Sequence, residues 1–175
     1  TWRVADINNG TDHSGAGERI LVLVGDVIYF DAFDPTYGYE LWAYNTSNTT
    51  TWRVTNIHTS GGSEPGDFMS LVVHDTIYFS ANDGSSGHEL WAHNTSNEST
   101  WRVADIFNGS DSSYPGSYFE AFIGDTLYFS ANDGNSGYEL WAHNTSNIST
   151  WKIADIRNGS DSSNPVSYTH LRAHE

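Results

Sequence analysis

Residues 76–108 read TIYFSANDGSSGHELWAHNTSNESTWRVADIFN, and residues 126–158 read TLYFSANDGNSGYELWAHNTSNISTWKIADIRN; 26 of the 33 positions match. Trp2, Trp52, Trp101 and Trp151 each stand between Thr and a basic residue, at spacings of 50, 49 and 50, and Trp42, Trp91 and Trp141 each follow Glu-Leu. Every tryptophan therefore belongs to one pattern. A period near fifty residues describes stacked or radially arranged units, each too small to bury a stable core alone, rather than one continuous domain.

Inside a unit, four extended segments are separated by turn residues. The third copy shows them as Tyr118 to Ile123, Thr126 to Ala131, Tyr138 to Asn144 and Thr150 to Ile156, lettered a to d. Segments a and b are joined by two residues only (Gly25-Asp26, His74-Asp75, Gly124-Asp125), a length that closes a tight hairpin and makes the pair antiparallel. The b–c and c–d connections are rich in Asn, Asp, Gly and Ser, residues that set turns. The unit is a four-stranded antiparallel meander, and the expected fold is all-β with β-propeller-like blades. Strand a, apolar on both faces as Ile20-Leu21-Val22-Leu23-Val24, is expected innermost, and the tryptophans of c and d are expected to fill the space between blades.

The expected boundaries are an orphan outer strand and loop at 1–18, blades at 19–57, 68–106 and 118–156, and a loop plus tail at 157–175. Three blades fall short of the roughly four or more that close a ring, so the expected shape is an open, incomplete ring. Thr1 opens in mid-pattern without Met or signal peptide, as a piece of a longer chain would. Residues 166–175, VSYTHLRAHE, lose the repeat and resemble translated adapter read-through.

The segments GYELWAHNTSN, STWRVADI, NGSDSSYPGS and GDTLYFSANDG resemble the ELW-type tandem repeats of secreted or surface-attached bacterial and archaeal proteins, over residues 1 to about 168. That family's usual form continues ELW with two variable residues and Asp-Gly-Thr. Here Asn-Thr-Ser replaces the turn at Asn45, Asn94 and Asn144. The resemblance implies a repetitive extracellular β protein and brings no established activity.

Composition narrows the partners. Twenty-two acidic against seven basic residues, a formal charge of -15, oppose a nucleic-acid phosphate backbone. No apolar run reaches the roughly 18 residues a membrane helix needs, so no membrane insertion is expected. Without cysteine there is neither disulfide nor thiolate metal site.

Repetition also bears on chemistry, because a residue present in every copy serves the fold, whereas catalysis needs one asymmetric site. Glu40, Glu89 and Glu139 recur before Leu-Trp, and their expected partners are the cross-strand cations Arg53, Arg102 and Lys152. His93 and His143 stand where Tyr44 does, on an expected half-exposed strand position. No nucleophile elbow or zinc-protease spacing is present, and no enzyme activity of its own is expected.

Successive reversals of a meander place the b–c and d–a loops on one rim and the a–b and c–d loops on the other. The first rim gathers Asp83, Asp105, Asp111, Asp133, Asp155 and Asp161, with Asp6, Asp12 and Asp34 in corresponding places, as calcium candidates. The alternative reading is Asx-turn capping, in which each Asp bonds its own loop. Asn-x-Ser/Thr sequons occur at Asn9, Asn45, Asn48, Asn94, Asn97, Asn108, Asn144, Asn147 and Asn158, all in expected turns. Together these features point to an extracellular or cell-surface module that binds a protein or glycan ligand or serves as a scaffold, alongside further repeats of its parent chain. Two other readings stand beside it. The stretch is a non-catalytic part of a larger secreted enzyme, or it is a carbohydrate-binding propeller using Tyr37, Tyr39, Tyr114 and Tyr138.

Overall fold

The two-residue a–b loops fix the topology. Gly25, His74 and Gly124 have φ of 59°, 54° and 63°, and the pairs Val24↔Val27, Val73↔Thr76 and Ile123↔Thr126 close directly behind them. A computed structural model describes residues 2–9 and 11–165. The tail at 166–175, Thr1 and Gly10 lie outside the described residues.

The described residues form three four-stranded antiparallel sheets, each in strict chain order. Blade 1 holds β1 (Leu21–Val24), β2 (Val27–Asp34), β3 (Gly38–Asn45) and β4 (Thr50–Arg53). Blade 2 holds β5 (Ser70–Val73), β6 (Thr76–Asn82), β7 (His88–Asn94) and β8 (Ser99–Ala104). Blade 3 holds β9 (Glu120–Ile123), β10 (Thr126–Asn132), β11 (Tyr138–Asn144) and β12 (Ser149–Ala154). The architecture is all-β and propeller-like, with open ends.

Strand a is shorter than its apolar run because its first amides are satisfied elsewhere. The buried Ser80 and Ser130 hydroxyls accept from the backbone N–H groups of Phe68 and Tyr118 at 2.9 and 3.0 Å, and in blade 1 the Asp31 carboxylate does the same for Arg19 and Ile20. The sheets of blades 1 and 2 approach each other through their a strands, where β1 nears β5. The free side of β1 leaves Leu21 and Leu23 exposed.

Side chains alternate across each sheet, so the two faces of a blade meet different neighbours. Tyr29, Leu41 and Ala43 of blade 1 pack against Ile77, Phe79 and Ala81 of blade 2. Tyr78, Leu90 and Ala92 of blade 2 pack against Leu127, Phe129 and Ala131 of blade 3 in the same arrangement. The tryptophans of c and d pack between the blades as expected, but at the flanks and not the centres of these cores. Trp52 with Trp91, and Trp101 with Trp141, are half-buried flanks of the two cores, since the fully buried space is already filled by Tyr, Phe and Leu.

His93 and His143 differ from expectation too, being almost wholly buried. Each ring lies against the tyrosine of the preceding blade, at 5.7 Å from Tyr29 and 5.6 Å from Tyr78, and its Nδ1 meets Thr100 or Thr150 Oγ1 at 2.9 Å. Only the adjacent blade covers this position, and a single unit does not reveal it. Residues 2–7, expected as an outer strand, adopt no strand, and no c strand pairs with them among the described residues.

Candidate functional site

The repeated glutamates point into the connectors between blades, not toward the cations of strand d. Glu89 Oε2 accepts from Ile106 N at 2.8 Å and Ser113 Oγ at 2.7 Å, and Oε1 accepts from Phe107 N at 3.3 Å and Ser113 N at 3.1 Å. Glu40 takes Ile57 N, His58 N and Ser63 Oγ at 3.2, 3.4 and 2.8 Å. Glu139 takes Ile156 N, Ser163 N and Ser163 Oγ at 3.1, 3.1 and 2.6 Å.

The same connector serine reaches the next blade. Ser63 N donates to Tyr39 O of blade 1 at 2.8 Å, while Ser63 O accepts from Asn82 N of blade 2 at 2.9 Å. Ser113 repeats this between His88 and Asn132, at 3.0 and 2.9 Å. Glutamate, serine and neighbouring strand b therefore form a clasp between consecutive blades.

The expected Glu–cation pairs fail for a reason of register. Trp91 pairs with Arg102 and Trp141 with Lys152, a bulge follows, and the cation lies beside the b–c loop. Arg102 faces Asp83 at 3.6 Å and Asp105 at 3.4 Å, Lys152 meets Asp133 at 3.0 Å, and Arg53 lies 3.3 Å from the centre of the Tyr37 ring.

Burial pushes the carboxyls of Glu40 and Glu89 up from 4.5 to about 7, against the opposing pull of their serine and backbone donors. Burial also acts to raise Asp83 and Asp133. There the backbone donors of the b–c loop, with Arg102 or Lys152, outweigh it and hold both below the ordinary value.

The six aspartates of the calcium expectation serve several separate groups. Asp83 Oδ1 accepts from Ser85 N and Ser86 N, both at 2.8 Å, and Asp133 Oδ1 from Asn135 N and Ser136 N at 2.9 and 2.8 Å, which is Asx-turn geometry. Asp105 faces Arg102, Asp161 pairs with Arg157 at 2.9 Å, and Asp111 and Asp155 are exposed. Among the described residues these six form no metal-sized cluster.

The rims are as topology requires. On one, Ser47 Oγ and Ser96 Oγ reach Asp26 and Asp75 of the a–b loops at 2.6 and 2.9 Å. On the other, Gly84 and Gly134 lie so close under His58 and Phe107 that a Cβ would sit 2.4 and 2.5 Å from those rings. The sequons follow both rims. Asn45, Asn94 and Asn144 shape the c–d loops through Oδ1, at 2.8, 3.0 and 3.1 Å from the amide two residues on. Asn48, Asn97 and Asn147 follow in the same loops and are exposed, as are Asn9, Asn108 and Asn158 on the opposite rim. Of the rim tyrosines, Tyr37 and Tyr39 have guanidinium groups over their rings, and Tyr118 meets Tyr138 edge-on at 4.9 Å.

One group of ligand-type side chains does converge, and it was missed from sequence because its members are spread over 25 positions. Glu64, Asp67 and His88 place a carboxylate oxygen, a second carboxylate oxygen and a ring nitrogen within 4.8 Å of one another. The signal that could have found them is departure from the repeat at two of the three: Gly15, Tyr114 and Asn164 stand at the position of Glu64, and Tyr39 and Tyr138 at that of His88, while Asp67 has Glu18 and Ser117 as its counterparts.

No protein-family model matches the chain, and no curated protein matches it. Among solved structures, a point mutant of puromycin hydrolase complexed with PGG superposes with a TM-score of 0.58 at 9% identity, over 82% of this chain and 21% of that one. TolB from Acinetobacter baumannii superposes with a TM-score of 0.44 at 14% identity, over 74% of this chain and 29% of that one. The chain thus spans about a fifth of the length of the first. At 9% identity the likeness to the puromycin hydrolase concerns the fold alone, and it agrees with the propeller-like arrangement of the three sheets.

The clasp carries a pH signature. Glu89 binds its proton more tightly folded than unfolded, so its contribution to stability is complete below about pH 4.5 and is lost as pH rises through about 7. In Glu89→Gln that loss is absent. Urea unfolding at a series of pH values is expected to show the variant gaining on the parent between those limits, by up to about 1.4 kcal/mol per pH unit, with a constant difference outside them. A difference that does not change with pH would show the carboxyl to be unperturbed.

Proposed function

We propose that the chain is a non-catalytic repeat module of an extracellular or cell-surface protein, with a scaffolding or ligand-binding role, and that further repeats of its parent chain cover its two ends. The observation carrying this reading is how the repeated chemistry is used. All three buried glutamates hold connectors, and Asp83 and Asp133 hold their own loops.

The ends support it. Ile28 and Phe30 of blade 1 lie in an open groove of about 240 Å³ with Val4, Ala5, Ile7 and Leu21. Blade 3 presents Trp151, Ile153 and Ile156, exposed by 41, 41 and 63%. Their counterparts Trp101, Val103 and Ile106 belong to the core between blades 2 and 3. Each end is thus half of an interface that the interior already contains twice. An extracellular setting is supported by the exposed sequons, the acidic surface and the ELW resemblance.

Scaffolding is tested by lengthening the array inside the chain. Inserting a second copy of residues 68–117 after residue 117 is expected to raise Tm and to increase the urea m-value by about a third, as four coupled blades expose more surface on unfolding than three. An unchanged m-value would mean that the added copy does not join the array. The extracellular reading is tested by intact mass after expression through a glycosylating secretory pathway. Glycan increments removed by substituting Asn48, Asn97 and Asn147 with Gln support it, and an unmodified mass contradicts it.

A further inference from the structure

Two departures from the repeat, Glu64 and His88, fall in blade 2 and its connector, and the fold brings them to Asp67, whose counterpart in the first copy is Glu18. Glu64 and Asp67 belong to the connector segment Ser63-Glu64-Pro65-Gly66-Asp67, and His88 opens β7. All three ligand atoms lie within 4.8 Å of one another.

The histidine is built into the site. His88 is 8% exposed, held edge-on by Phe68 at 5.1 Å and stacked on Tyr114 at 6.1 Å. Nδ1 is buried without a partner, and Nε2 faces Glu64 Oε2 at 3.5 Å, longer than the roughly 2.7–3.2 Å of a hydrogen bond. Nε2 is therefore the nitrogen turned toward the carboxylates, on a ring whose other nitrogen has no partner.

We infer that Glu64, Asp67 and His88 form a site for one divalent transition-metal ion of the zinc type, bound through Nε2 and two carboxylate oxygens with water completing the shell. The ligand set argues for this class: an imidazole nitrogen suits zinc and its neighbours, whereas calcium takes oxygen alone. Arg19 Nε bonds Asp67 Oδ1, which leaves Oδ2 for the ion and fixes the carboxylate. Arg19 is itself tied to the buried Asp31 of blade 1 at 3.2 Å, so the site lies where the connector passes from blade 1 to blade 2. An ion there adds a cross-link beside the Glu40–Ser63 clasp.

Titration of the full chain with zinc chloride tests this, and His88→Tyr is the comparison because Tyr39 and Tyr138 already occupy that position in the other blades. The parent is expected to bind one equivalent saturably and to melt at a higher temperature with zinc. His88→Tyr should melt as the parent does without zinc and bind at least about tenfold more weakly, while His74→Asn, on the opposite rim, binds as the parent does. Calcium chloride at the same concentrations should not compete. Absence of saturable binding to the parent, or equal binding to His88→Tyr, would overturn the assignment.

Discussion

A carboxylate buried between two sheets is costly unless it is met by donors, and here the donors lie on the segment that leaves one blade for the next. Glu89 gathers two backbone amides from the end of its own blade, and the amide and hydroxyl of Ser113 beyond them. The geometry of the array depends on this. The serine that answers the glutamate also accepts from the second strand of the following sheet, so its position sets where that sheet begins. Hydrophobic packing alone is non-directional and would leave the blades free to slide.

Once the connector is fixed, the remaining features follow. The outgoing face of one blade meets the incoming face of the next in the same arrangement at both junctions, from Tyr29 opposite His93 to Tyr78 opposite His143. Repeated acids are consumed within the fold, which leaves departures from repetition as the place to look for individual chemistry. Glu64 and His88 are such departures, and they converge with Asp67 beside the connector that the Glu40 clasp holds.

The duplication of 33-residue stretches and the two-residue loops made strand order, pairing sense and repeat architecture legible before any coordinates. Contacts across blades were not legible, because periodicity within one unit says nothing about its neighbour. His93 takes the place of Tyr44, which suggests a half-polar surface, and only the Tyr29 ring of the preceding sheet encloses it. The bulge after Leu90 is likewise silent in the sequence, and it separates Glu89 from Arg102. Ser113 lies 24 positions beyond Glu89, in a loop whose composition signals only a turn. The aspartates were legible as loop residues, and their Asx-turn bonds are of the kind such composition produces.

The most direct measurement is a double-mutant cycle on one clasp, with Glu89→Ala, Ser113→Ala and the pair unfolded in urea. Their hydroxyl–carboxylate contact of 2.7 Å is buried at both ends. At about pH 9, where the Glu89 carboxyl is ionised, the account requires a coupling of about 1.5–3 kcal/mol, as for a hydrogen bond to a charged group. Losses that add to within about 0.5 kcal/mol would mean that carboxylate and serine act independently and that blade position is set by packing alone.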